Sequence, residues 1–389
     1  MGSIQDRIHS TAAASAISPS HERARAGQSA PAPSRANANS MADETTPLIR
    51  NCWYVAALSA DLAPGKLFAR RLLDVNVVLY RTENGIAALH DRCAHRSMPL
   101  SDGYIQDDKV VCGYHGFRYD TGGTCDHVPS QPDRCPGGIS VRSFPVVEHS
   151  PHVWIWMGDP GLADPTQIPG AAWMRDSDEW TGSHGYMHVK SNYVFLHENL
   201  LDLSHLSYLH AKTFGTPDYA GAPFDIQTGD GEFIVQRTVA PTRLPPVYAE
   251  PTGMTGVDAA RIVTSTYVSP ALSYTELLLR NLELPQEKRR DYHLKTAQII
   301  TPESDGTLHY HFTVVRDFAL HDQAMSEFIL ESIKAAFHED VYALERITQV
   351  RLGEPVFHER SVAADRAGVA MRKHLKKLAD HEHPPTSPV

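Results

Sequence analysis

The chain has 389 residues, 42% of them hydrophobic and 21% charged, enough for more than one hydrophobic core. Its formal net charge of −10 and the lack of a basic stripe argue against nucleic acid as a partner, and no apolar run reaches the length of a membrane span. Five cysteines do not make a disulfide framework, which fits a reducing cytoplasm.

Residues 1–40 are expected to form a disordered leader. Ala12 to Ala16 and Ala30 to Arg35 are low in complexity and offer almost no large apolar side chains to bury. No hydrophobic signal-peptide core is present, and Met41 stands where globular sequence begins. A transit-like segment, a fusion leader and an upstream start all fit this composition. From residue 48 the pattern turns to strands: residues 51–55, then a hairpin of 76–80 and 86–89 across Asn84-Gly85.

The most informative stretch follows. Cys93-Ala94-His95 is separated by sixteen residues from Cys112-Gly113-Tyr114-His115, so each of two short loops offers one thiolate and one imidazole. A structural Cys₂His₂ zinc site usually groups its cysteines in one half and its histidines in the other. Mixed loops favour a Rieske [2Fe–2S] centre, with Cys93 and Cys112 on one iron and His95 and His115 on the other. Val110-Val111 enters the second loop as a strand, and Gly113 and Gly116 flank the ligands where the backbone must bend tightly. Met98 and Tyr114 occupy the places where respiratory Rieske proteins carry an extra cysteine pair, and Phe117 stands where a Trp is common, a change read as packing.

Strands at 141–147 and 153–157 complete an all-β region over residues 41–160, and Gly158 to Pro165 reads as a linker. Residues 161–389 mix strand and helix. Segments 261–268, 273–280, 292–301 and 308–316 alternate as a large antiparallel sheet, with Asp305-Gly306 as a hairpin turn, and 321–350 is helical. The fold class is therefore α+β.

A second metal site is read from two places. Asn199, Asp202 and His205 fall at i, i+3 spacing, which a continuous helix would put on one face. His210 lies five residues after His205, so the helix must end or bulge for both imidazoles to reach one ion. Two surface histidines on an amphipathic helix would also explain this pair. In the late helix, Asp340 sits on an apolar stripe with Ile333, Phe337, Leu344 and Ile347. A buried unpaired carboxylate costs several kcal/mol or more, so Asp340 should bind something, whereas Glu339 is expected to be solvated. Two histidines and an aspartate form the ligand triad of mononuclear non-haem Fe(II) oxygenases.

With both motifs, and with Phe144 to Glu148, Trp154 to Pro160, Ala163 to Pro169, Glu339-Asp340 and Val362 to Arg372, the chain resembles Rieske non-haem iron monooxygenases, nearest the vanillate O-demethylase group, from about Pro47 to Leu378. The resemblance implies a Rieske domain, a helix-grip catalytic domain and a homotrimer assembled head to tail. It implies electrons from NADH, delivered by a separate flavin and iron–sulfur reductase or a ferredoxin. It places His205, His210 and Asp340 on the mononuclear iron, Asp202 as a bridge between subunits and Asn199 close to the iron. The implied reaction uses O₂ to hydroxylate a small aromatic substrate, chiefly at a methyl on oxygen or nitrogen, with release of formaldehyde. Ring or methyl hydroxylation remains open, as do an electron carrier and a non-catalytic ligand-binding protein. Pocket walls are expected from residues 219–282, apolar with few convergent charges, with loops at Pro245-Pro246 and at residues 253–256.

Overall fold

β-branched and aromatic residues at alternate positions fold the first half of the chain into small antiparallel sheets. The computed structural model describes residues 40–133, 135, 137–174, 177–229, 231–354 and 359–383, so the leader reading lies outside the described residues, residue 40 excepted. Strands β1 (Trp53–Leu58), β2 (Leu67–Leu72), β3 (Val75–Thr82) and β4 (Gly85–His90) come first. The short β5 (Tyr104–Gln106), β6 (Lys109–Val111), β7 (Arg118–Tyr119) and β8 (Cys125–His127) follow, then β9 (Val146–His149) and β10 (His152–Trp156). They pair as β1-β10-β9, β2-β3-β4 and β5-β6-β7-β8. The β3–β4 hairpin pairs Thr82 with Gly85, so its turn is Glu83-Asn84, one residue earlier than expected.

The stretch read as a linker is held in place. Asp159 and Asp164 cap successive 3₁₀ turns at Pro160–Leu162 and Pro165–Gln167. The indole nitrogens of Trp156 and Trp53 donate to the carbonyls of Asp159 and Asp164 at 2.8 and 2.9 Å.

The second half is a seven-stranded antiparallel sheet with its helices. The strands are β11 (Thr181–Val189), β12 (Phe224–Thr228), β13 (Phe233–Arg243), β14 (Asp258–Ser269), β15 (Leu272–Asn281), β16 (Asp291–Ser304) and β17 (Thr307–Arg316), in the order β11-β17-β16-β15-β14-β13-β12. The helices are α1 (Tyr193–Leu201), α2 (Pro246–Thr252), α3 (Gln323–Gly353) and α4 (Arg366–Glu382). None of the described helices is long and apolar enough to cross a membrane.

The alternation of side chains in β16 divides the molecule. Ala297 and Ile299 pack against Trp53, Trp154 and Trp156 of the first half, whereas Leu294, Thr296 and Gln298 face a cavity beneath the helices. In α3, the expected stripe is buried at Ile333, Phe337, Asp340 and Leu344. It ends before Ile347, which is exposed.

Candidate metal centres and cavity

The loop after β4 carries Cys93 and His95, and the loop after β6 carries Cys112 and His115. Both thiols are buried while both imidazoles face outward, their ring centroids 4.6 Å apart. The thiols lie inside because Tyr119 holds the first loop: its hydroxyl accepts from Ala94 N at 3.1 Å and lies 3.2 Å from Cys93 Sγ. Asp91 accepts from the backbone and hydroxyl of Ser101 at 2.7 and 2.6 Å and closes that loop. A Cβ at Gly113 would stand 2.7 Å from the carbonyl oxygen of Asp102, so the two loops approach as only glycine allows. Phe117 packs on a candidate ligand: its ring lies nearly parallel to that of His95 at 4.7 Å.

The second centre depends on a broken helix. Asn192 caps α1, whose sequence favours helix until Asp202 adopts an extended conformation. The Asp202 carboxylate then accepts from Ser204 N at 2.9 Å and starts a 3₁₀ turn, Leu203–Ser207. Asn199, Asp202 and His205 therefore do not share one helical face; besides the expected end between the histidines, at Ser207, there is an earlier break at Asp202. Gly215 closes the segment: its N–H donates to the His210 carbonyl at 2.8 Å, and a Cβ there would meet the Leu206 carbonyl oxygen at 1.8 Å.

The structure brings His205, His210 and Asp340 together, with one donor atom from each within 4.8 Å of the others. The Nε2 atoms of His205 and His210 lie 3.4 and 3.1 Å from Asp340 Oδ1. His205 Nδ1–H donates to the Asp202 carbonyl at 2.7 Å, and His210 Nδ1–H to Glu339 at 2.7 Å. Neutral imidazoles held this way aim their Nε2 lone pairs at a carboxylate, and three lone pairs meeting at one point call for a cation. Protonated at Nε2 as well, the same imidazoles donate to Asp340 instead, and the charges then support one another. Burial opposes ionisation of Asp340, but His205 and His210 outweigh it and hold the carboxyl at about 2. Burial opposes protonation of His210, yet Asp340 and Glu339 raise its pKa. Asn199 Nδ2 donates to Asp340 Oδ1 at 3.1 Å, while its Oδ1 is buried without a partner.

A cavity adjoins the triad, walled mainly by apolar side chains such as Leu200, Phe214, Val263, Leu277 and Phe337. Val263, Thr275 and Leu277 come from the expected stretch. Pro245-Pro246, expected as a loop, instead leads into α2, which turns Tyr248 onto the cavity. One charge does converge there, Arg261.

Comparison with known proteins places these features. The Rieske [2Fe–2S] domain profile matches residues 52–145, and the vanillate O-demethylase oxygenase C-terminal domain profile matches residues 189–381. The chain is 35% identical over 348 residues to the toluene-4-sulfonate monooxygenase system iron–sulfur subunit of Comamonas testosteroni, covering 87% of this chain and 99% of that one. The chain belongs to the Rieske non-haem iron oxygenases of the vanillate O-demethylase type. The oxygenase component of dicamba O-demethylase from Stenotrophomonas maltophilia is 34% identical over 342 residues, covering 86% of this chain and 98% of the relative. The crystal structure of dicamba monooxygenase bound to 3,6-dichlorosalicylic acid superposes with a TM-score of 0.81 at 31% identity, covering 87% and 99% of the two chains. The chain is thus an oxygenase component, an enzyme that works with a separate electron-supplying partner.

The residues fit the groups such an oxygenase carries. Two buried thiols beside two outward imidazoles are the donor set of a Rieske cluster, and the three converging lone pairs are that of a mononuclear iron. Sequence reasoning missed the role of Glu339, which is partly exposed but holds His210 and accepts from Thr213 Oγ1 at 2.7 Å. Thr213, three residues after the second histidine, was the available signal. It also missed Arg261, whose position in an alternating strand gave no sign that it pointed inward.

Proposed function

We propose that the protein is the terminal oxygenase of an NADH-dependent system that oxidatively removes an O- or N-alkyl group from a small arene. The observation that carries this reading is a two-histidine, one-carboxylate triad at the wall of a largely apolar cavity. When bound, the mononuclear iron supplies O₂ activation, with electrons drawn through the cluster from a separate reductase. His205, His210 and Asp340 would hold that ion, and Cys93, His95, Cys112 and His115 the cluster. The cavity walls exclude water and orient the ring so that its alkyl carbon faces the triad. Hydroxylation of that carbon gives a hemiacetal or hemiaminal, which breaks its C–O or C–N bond to release an aldehyde and a phenol or amine.

Asp202 is assigned as a positioning residue between subunits of a homotrimer, and Asn199 as a second positioning residue beside Asp340. A cytoplasmic location is part of the same reading, in keeping with five free cysteines. The similarity to a toluene-4-sulfonate monooxygenase subunit favours a second reaction in the same cavity, hydroxylation of a ring methyl.

The decisive experiment supplies NADH and a surrogate reductase to the holoenzyme with methoxyarenes, N-alkyl anilides and methylarenes. Aldehyde released in step with NADH consumption supports dealkylation, whereas benzylic alcohol without aldehyde supports methyl hydroxylation. Asp202→Asn should keep both metals by iron analysis and lose most product formation. Full activity in that variant would remove Asp202 from the reading.

A further inference from the structure

Four arginines are buried among the described residues: Arg237, Arg261, Arg316 and Arg372. Burying a guanidinium costs several kcal/mol unless its N–H groups are satisfied, so each should be ringed by acceptors. Three are. Arg237 donates to the carbonyls of Tyr219, Ala220 and Ala222. Arg316 donates to three carbonyls and the Ser326 hydroxyl. Arg372 pairs with Glu198 and Glu359 and donates to the Ala42 carbonyl.

Arg261 is different. It is 1% exposed, yet its protein acceptors among the described residues are only the carbonyl oxygen of Phe214, 2.8 Å from Nη1, and the Tyr248 hydroxyl. Its Nε is buried with no partner, and among the described residues no carboxylate pairs with it. The rings of Tyr219 and Tyr248 lie 4.7 and 5.0 Å from its Cζ, which favours a cation there but accepts no planar hydrogen bond. The side chain forms part of the wall of the same cavity as His205, His210 and Asp340. Phe214 lines the same cavity, with its ring 5.6 Å from His210 and 5.8 Å from Tyr248.

We propose that Arg261 is the anchor for an anionic substituent of the substrate, so that the substrate class is an aromatic acid, a carboxylate or a sulfonate. The inference rests on the oxygenase reading above and narrows it. A guanidinium offers parallel N–H groups to a two-oxygen anion, and in a water-poor cavity this pairing is strong and directional. Held at Arg261, the acid group fixes one end of the ring and leaves the other free to face the triad. Arg261 therefore selects substrate and sets orientation, without a part in the chemistry.

The test is binding of matched pairs to the holoenzyme by calorimetry: 4-methoxybenzoate against 4-methoxybenzamide, and toluene-4-sulfonate against toluene-4-sulfonamide. The acids should bind at least about tenfold tighter than the neutral isosteres, and whichever acid binds better identifies the anion. Arg261→Met should remove that preference, and Arg261→Lys should retain part of it, with the cluster's visible spectrum and circular dichroism reporting an intact fold. Without ligand, Arg261→Met should melt no lower than the parent, since it removes a buried charge that the protein leaves unpaired. Equal binding of acid and amide overturns the proposal, as does an equal loss of both in Arg261→Met. Acid binding that depends on Arg261 without any aldehyde or alcohol product would sink the oxygenase reading while leaving this one standing. Turnover of neutral arenes that is indifferent to Arg261 would do the reverse.

Discussion

The two candidate metal centres solve the same problem, gathering four or three donors, in opposite ways. The candidate Rieske ligands come from two short loops set by backbone turns, with thiols inside and imidazoles at the surface. The triad takes its histidines from a broken helix and its carboxylate from a helix 130 residues further along, and Asp340 and His210 are buried. A loop site is specified locally and can tolerate change elsewhere. A packed site is only as good as the contact between α1 and α3.

The largest effect should come from separating the centres. Asp340→Ala should bring turnover below detection and lower the iron content by about a third, because a Rieske cluster holds two irons and the triad one. The cluster's visible and EPR spectra should be unchanged. Cys93→Ser with Cys112→Ser should do the converse, bleaching the cluster while the mononuclear site still binds metal. Loss of both metals in either variant would show that the centres fold as one.

Glu339→Gln tests whether the packed site needs its outer support. Weakening the hydrogen bond to His210 should lower iron affinity about 10- to 100-fold, measured by chelator competition. An unchanged affinity would return Glu339 to the solvent role expected from its sequence. Gly215→Ala should act on the same centre through the backbone. Its Cβ cannot share space with the Leu206 carbonyl, so we expect a loss on the order of 1–3 kcal/mol in thermal or urea unfolding and weaker mononuclear iron binding. The Rieske spectrum should not respond.

The remaining effect is a slope in pH. Burial lowers the pKa values of His197 and His309 to about 4. An unfolded histidine binds its proton near 6.5, so between about 6.5 and 4 the unfolded chain takes up protons that the folded chain refuses. Stability should be complete above that window and fall as pH drops through it, by up to about 1.4 kcal/mol per pH unit for each histidine. His309→Gln should flatten part of the slope in melting curves. A parent protein equally stable at both ends of the window would contradict it.

The comparison also explains what could be read in advance. The candidate Rieske donors stand out in the sequence because their spacing is short and their chemistry uncommon. Asp340 was legible because a carboxylate on an apolar stripe is costly wherever the helix packs. The extended backbone at Asp202 was not, since Asn199, Asp202 and His205 satisfy helical periodicity until the cap competes for Ser204 N. Strand β11 also escaped: Gly182, Ser183, His184 and Gly185 carry little strand propensity, and its pairing along the whole edge of β17 decides it. Arg261 lies in a recognised strand, but which face of that strand met the cavity depended on the sheet's partners.

The alternation in β16 has a consequence for how relatives of this protein can diverge. Neighbouring residues belong to different assignments: Thr296 and Gln298 shape what the cavity accepts, while Ala297 and Ile299 seat the half that carries the iron–sulfur loops. Substitutions confined to every second position can therefore retune chemical taste while the joint between the halves stays fixed. Inserting a single residue within the strand would exchange the two sets and forfeit both.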